Sequence, residues 1–121
     1  MKETINKAIT KNTIVEVDFP FSQDPAKSKR RPALILWTDK YQRDFIVAFI
    51  TTKWLERKEA GDVYIKRSDS DFSQTGLITD SKIKVTKLIS LSRNKLLAKY
   101  GVLTNEILER VNKEIKNVFN V

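Results

Sequence analysis

The chain has 121 residues, 40% of them apolar and 31% charged. Its 23 basic and 15 acidic side chains leave a formal net charge of +8. Cysteine and histidine are both absent, which excludes disulfides, cysteine-type zinc sites, iron–sulfur clusters, thiol catalysis and any Ser-His-Asp triad. The apolar content is that of a globular chain, and about 120 residues are enough to bury a core without covalent staples.

An isoelectric point near 9.8 directs attention to a polyanionic partner: nucleic acid, an anionic membrane surface or an acidic protein. Surface lysine serving solubility is the plainer alternative. The longest apolar runs, such as Ile46–Ile50, fall far short of the about 20 residues that span a membrane. Met1–Lys11 lacks the apolar segment of a signal peptide, so a cytoplasmic, non-membrane protein is expected. The charge is uneven: residues 22–58 carry net +5 and residues 82–121 net +6, while residues 1–21 balance and residues 59–81 carry −3. An anion is expected where folding brings the two basic blocks together. With no repeat, linker or low-complexity tract, residues 1–121 read as one domain.

Lys2–Ile9 can form a short helical turn with Ile5, Ala8 and Ile9 on one face. Thr13–Phe21 reads as a strand that Pro20 ends or places at an edge. Ser22–Arg30 is polar and reads as a loop. Pro32–Thr38 and Phe45–Thr52 are nearly continuous apolar runs, the pattern of strands buried on both faces, joined by a hairpin-length connection. Asp62–Lys66 is a shorter strand and Ser68–Gly76 a polar loop. Ser81–Thr86 alternates, with Ile83 and Val85 on one face and Lys82 and Lys84 on the other, and Leu88–Leu91 continues the sheet. Ser92 can cap a helix over Arg93–Lys99, with Gly101 at its C-cap. Thr104 can cap a final helix whose apolar stripe runs through Ile107, Leu108, Val111, Ile115, Val118 and Phe119. Short strands followed by helices predict a mainly β fold: a small barrel with C-terminal helices packed on it.

Few constellations could carry chemistry. Asp69-Ser70-Asp71 with Asp80 loosely resembles a calcium loop, but Gln74 and Asp80 stand where glycine and glutamate belong. A solvated acidic turn is the stronger reading, and no metal is expected. Gly61, Gly76 and Gly101 make neither a Walker loop nor a dinucleotide fingerprint. The basic run Lys27-Ser28-Lys29-Arg30-Arg31-Pro32 sits at a loop-to-strand junction. Pro32 biases Arg31 to extended backbone, and a fixed arginine fork suits phosphate; a solvated charge run is the alternative. Thr51-Thr52-Lys53 ends an apolar strand. Hydroxyls there can donate to a phosphate oxygen, or they reflect β-propensity alone.

Three stretches together resemble the MazF/PemK toxin family. They are Val15-Glu16-Val17-Asp18-Phe19-Pro20-Phe21-Ser22, Lys29-Arg30-Arg31-Pro32-Ala33-Leu34-Ile35-Leu36 and Phe45-Ile46-Val47-Ala48-Phe49-Ile50-Thr51. The similarity continues through Gly76-Leu77, Asp80-Ser81-Lys82-Ile83-Lys84-Val85, Lys87-Leu88 and Gly101-Val102-Leu103-Thr104, spanning roughly residues 13 to 118. The resemblance implies an SH3-like β-barrel, a homodimer and a toxin of a type II toxin–antitoxin system neutralised by a cognate antitoxin. It also implies sequence-selective, metal-independent endoribonuclease activity on single-stranded RNA (an mRNA interferase), with no cofactor. The family's catalytic arginine falls on Arg31 and its catalytic threonine on Thr51. Lys29, Arg30, Thr52, Lys53 and Ser81 are candidates for holding RNA, with Phe21 and Trp54 as stacking partners. Trp37 reads as core or dimer contact.

The chain departs from many members in having Asn12-Thr13 before the first long strand, Thr86 where some carry aspartate, and no histidine. Two other functions follow from the same residues: a non-catalytic inhibitor, as in related barrels that poison DNA gyrase through their C-terminal helix, and an RNA-binding homologue without catalysis.

Overall fold

The computed structural model of the chain describes residues 3–4, 8–21 and 24–121; for residues 3–4, 19–21 and 24–28 it describes backbone pairing. Seven strands form one antiparallel sheet: β1 (Glu3–Thr4), β2 (Thr13–Phe21), β3 (Asp24–Thr38), β4 (Asp44–Thr51), β5 (Asp62–Ile65), β6 (Ser81–Ser92) and β7 (Leu96–Val102). Their order is β1-β7-β2-β3-β4-β6-β5. One α-helix, α1 (Asn105–Phe119), follows, and 3-10 turns occupy Phe72–Thr75 and Arg93–Lys95.

Strand alternation builds two cores from the same segments. On one face Ile14, Leu34, Ala48, Ile50 and Ile83 are buried under Ile107 and Val111 of α1. On the other, Val15, Val17, Ala33, Ile35 and Val47 pack with Phe45, Leu91 and Leu96. This is why β3 and β4 are apolar at consecutive positions: each neighbouring pair splits between two buried faces. Among the described residues no helix lies over the second face. The sheet covers that core by curling, and register shifts at Ile35/Trp37 and Ala48/Phe49 mark the bulges that bend it. The curl is barrel-like, but β1 and β5 remain the two edges, so the hydrogen-bonded sheet does not close.

Several expectations are corrected. Residues Glu3–Thr4 pair with β7 as strand rather than forming helix, while Met1, Lys2 and residues 5–7 lie outside the described residues. The polar segment read as a loop over Ser22–Arg30 is strand from Asp24 onward, hairpinned on β2 through Pro20↔Ser28 and Phe19↔Lys29. Ladder hydrogen bonds to a neighbouring strand override its composition. Arg93–Lys99 is not a helix: only Arg93–Lys95 turns, and Leu96 and Ala98, two apart, are buried in β7 against β2. An open β2 edge decided what local capping signals could not. Gly101 therefore ends no helix; it lies in β7, where a Cβ would strike the Gln74 carbonyl oxygen. The C-terminal helices reduce to one α-helix among the described residues.

Thr104 does occupy the N-cap of α1, but its hydroxyl makes no cap bond. The buried Asp71 carboxylate instead accepts from the Ile107 N–H at 3.5 Å, reaching the helix start from a distant loop. Trp37 and Phe119 are half exposed rather than core. No helix among the described residues is long and apolar enough to cross a membrane.

Gly76 seats the Phe72–Thr75 turn on β7. It has φ +73°, and a side chain there would enter the Tyr100 backbone. Gly76→Ala is expected to lower unfolding free energy by about 2 kcal/mol or more, combining left-handed strain with overpacking. Urea denaturation of the variant against wild type measures it.

Candidate functional site

Strand register assembles the site. In the β3–β4 ladder Leu34 pairs with Ala48 and Ala33 with Phe49; Arg31 and Thr51 each lie two residues beyond that last pair on their own strands. Thr51 pairs with Lys82 on β6, and Lys82 with Tyr64 on β5. Cross-strand partners share a face, so Thr51, Lys82 and Tyr64 form one row across three strands, and Arg31 lies on the face of β3 that carries Ala33. The row lies on the side of the sheet that carries Ala33, Val47 and Phe49 and ends the second core.

The open end of that row is cationic. Lys29 and Arg31 alternate onto the same face of β3. The positive charge of Arg31, then that of Lys53, then burial, hold the Lys29 ammonium below the ordinary lysine range. The two basic blocks of the sequence thus converge, with Lys82 and Lys84 of the later block beside Thr51 and Phe49 of the earlier one. No acceptor among the described residues takes the Arg31 guanidinium, which is half buried. Thr51 is buried, and its Oγ1 accepts the Lys53 N–H at 3.1 Å. That bond occupies a lone pair and leaves the hydroxyl proton free to donate.

The other sequence candidates divide. Thr52, Lys53 and Trp54 follow β4 directly and are exposed; Trp54 carries the Arg57 guanidinium 5.6 Å from its ring centre. Arg30 alternates to the opposite face from Arg31, across from Asp18. Ser81 also lies on the opposite face, paired with Ile65. It is buried and donates to the Thr79 carbonyl at 2.9 Å. The Phe21 side chain lies outside the described residues.

Lys82 lies on the face opposite Ile83 and Val85, as the alternation predicts. It is fully buried, and its Nζ reaches Asp62 Oδ2 at 2.8 Å, the Trp54 carbonyl at 2.9 Å and the Arg57 carbonyl at 2.8 Å. The buried Asp62 also accepts from Lys84 at 2.8 Å and from the Glu59 N–H at 3.0 Å. Burial pushes the Asp62 carboxyl upward, but the bonds from Lys82, Lys84 and Glu59 outweigh it and hold the group below the ordinary carboxylate range. Burial likewise works against the Lys84 charge, and Asp62 reverses it, raising that ammonium. Sequence alternation could not find this cluster. A strand reading Lys-Ile-Lys-Val looks half solvated until Asp62 and two loop carbonyls are set over the lysines.

The acidic turn has structural employment instead of a calcium loop. Asp69 accepts from the Lys66 N–H and from Arg110, at 2.8 and 2.9 Å. Asp80 accepts from the Arg67 N–H at 2.7 Å.

The family model for the PemK-like, MazF-like toxin of type II toxin–antitoxin systems matches residues 10–119. No curated protein matches the sequence. Among solved structures, an endoribonuclease in complex with its cognate antitoxin from a mycobacterial species superposes with a TM-score of 0.68 at 14% identity, covering 94% of this chain and 97% of its own. A mycobacterial endoribonuclease alone gives 0.69 at 15% identity, covering 97% and 96%. The Mycobacterium tuberculosis toxin MazF-mt6 gives 0.63 at 22% identity, covering 88% and 97%. At these identities the superpositions establish a shared fold.

Asp62 has a stability consequence with a definite sign. Its folded-state pKa is depressed, so its contribution is complete above the ordinary carboxylate pKa and is lost as pH falls through the lower folded value. Asp62→Asn leaves the buried Lys82 without its counter-charge and is expected to cost about 3–5 kcal/mol at pH 7. The deficit should narrow toward pH 3. Urea midpoints at both pH values, for wild type and variant, check both statements.

Proposed function

This chain belongs to the PemK-like, MazF-like toxin family of type II toxin–antitoxin systems, and we propose that it is an endoribonuclease that cuts single-stranded RNA without a metal. What supports the reading is that Arg31 and Thr51 both lie just past the last β3–β4 pair, at the cationic end of the row, that no acceptor among the described residues takes the Arg31 guanidinium, and that the Thr51 hydroxyl keeps its proton to donate.

RNA brings its own nucleophile. The 2′-oxygen attacks the adjacent phosphorus and loses its proton to water. The bond from phosphorus to the 5′-oxygen breaks, and that oxygen takes up a proton. The products are a 2′,3′-cyclic phosphate and a 5′-hydroxyl. The protein's task is alignment and stabilisation of the charge that grows on the phosphorane. Arg31, its backbone held in β3 between β2 and β4, directs a permanent cation at the non-bridging oxygens. A guanidinium does not give up its proton at neutral pH, so its part is electrostatic. The Thr51 hydroxyl, oriented by the Lys53 N–H, donates a second bond.

Lys29, Lys53 and Thr52 take flanking phosphates, with Arg30 steering from the other face. Trp54, backed by Arg57, stacks a base. Ser81 lies too deep to touch RNA in this arrangement and acts through the 79–81 backbone. The family's antitoxin partnership carries over as an acidic segment laid on the same cations, and the active species is a homodimer.

Incubation of wild type and Arg31→Ala with a long unstructured RNA in EDTA tests the activity. Wild type is expected to give discrete cuts ending in 5′-hydroxyls, and Arg31→Ala a rate lower by about 10²–10³, the scale of losing one oxyanion donor. Cleavage by the variant at the wild-type rate would remove Arg31 from the mechanism. Light scattering at micromolar concentration is expected to give about twice the 14.0 kDa chain mass.

A further inference from the structure

We propose that Lys82 and Tyr64 are positioning residues for RNA binding: side by side in the row behind Thr51, they clamp the 52–59 loop by its carbonyls and so fix the Trp54 ring and Lys53 beside the reaction centre. The proposal rests on the RNA-cleaving reading above. Three carbonyls of this loop are captured by side chains of the row. Lys82 Nζ donates to those of Trp54 and Arg57, and the Tyr64 hydroxyl donates to that of Leu55 at 2.8 Å. Asp62 anchors the far end through the Glu59 N–H.

Two features mark the clamp as more than loop packing. First, Trp54 has φ +55°. The left-handed region is costly for a bulky side chain, and such residues persist only where the surroundings over-determine them. Here the over-determination is visible, because the strained residue's own carbonyl is held by a buried ammonium. Second, Trp54 is 54% exposed. The strain thus holds an aromatic ring out toward solvent rather than into a core, with Arg57 stacked near it. A stacking platform fixed before the ligand arrives does not spend binding energy on ordering. Lys82 is also the direct cross-strand neighbour of Thr51, so the same side chain ties the catalytic strand end to the loop that receives the neighbouring base.

The test separates the clamp from the chemistry. Trp37 and Trp54 are the two tryptophans of the chain, so a Trp37→Phe background makes Trp54 the sole fluorophore. Wild type, Tyr64→Phe and Lys82→Met in that background are compared by acrylamide quenching of Trp54, by affinity for a fully 2′-O-methylated single-stranded oligonucleotide, which lacks the nucleophile, and by cleavage kinetics.

Both variants are expected to show stronger quenching and affinity weakened about tenfold for Lys82→Met and less for Tyr64→Phe. KM should rise to match, with kcat within about twofold of wild type, the signature of lost uniform binding. Arg31→Ala should show the opposite split. Unchanged quenching in folded variants would overturn the clamp. Stronger quenching with unchanged affinity would overturn its role in RNA binding. Should Lys82→Met fail to fold, Tyr64→Phe decides alone, since it leaves the buried ion pair intact. A wild type that neither binds nor cuts RNA would overturn the cleavage reading and with it the binding role, whereas the quenching result stands apart from that outcome and still decides the clamp.

Discussion

A lysine buried away from the surface organises this molecule's working end. Lys82 is buried among Asp62 and two main-chain carbonyls, and an ammonium in that position is tolerable only if every proton has a partner. The requirement acts in several directions at once. Asp62 must be ionised and oriented, which the Glu59 N–H and Lys84 enforce. The loop after β4 must return over β6 to deliver its carbonyls, which brings Lys53 and Trp54 back beside Thr51. A pair of this kind adds little net stability over a well-packed apolar substitute. What it adds is a single permitted path for the loop.

The same strand end carries opposing demands. Inside the curl, Val17, Ala33, Ile35 and Val47 form an apolar core; two residues along the same strand, Arg31 and Lys29 gather positive charge with no neutralising side chain among the described residues. The repulsion is visible in Lys29, whose ammonium is weakened by Arg31 and Lys53. Cations held together in this way repel one another, a cost that a bound anion would relieve. The left-handed Trp54 is a second local cost at the same place. Charge strain and backbone strain lie next to each other, and the remainder of the sheet, with both faces buried, supplies the rigidity that supports them.

Glycine enters this economy where backbones must touch. Gly76 and Gly101 let the Phe72–Thr75 turn press on β7. That turn carries Asp71, whose carboxylate meets the first turn of α1. The helix covering the first core is thus seated by a loop some thirty residues upstream. The residue at its own N-cap, Thr104, contributes backbone geometry without a capping bond.

Much of this was legible from residues alone. The apolar runs at 32–38 and 45–52, the helical stripe from Ile107 and the existence of two basic blocks all follow from local side-chain chemistry, because hydrophobic period and charge are written residue by residue. Arg31 and Thr51 stand out in the sequence as polar residues bordering apolar runs and through family resemblance. Three things were not. Leu96–Val102 became strand because an unpaired edge of β2 needed hydrogen bonds, a demand arising some eighty residues away. Asp24–Arg30 was drawn into β3 by the same kind of pairing. Lys82 turned inward because Asp62 and the 54–57 carbonyls arrive over it from another strand and another loop. Sequence by itself determined which segments seek burial and where positive charge accumulates; only the tertiary structure decided which polar groups meet, because a buried charge takes its meaning from partners that local sequence does not contain.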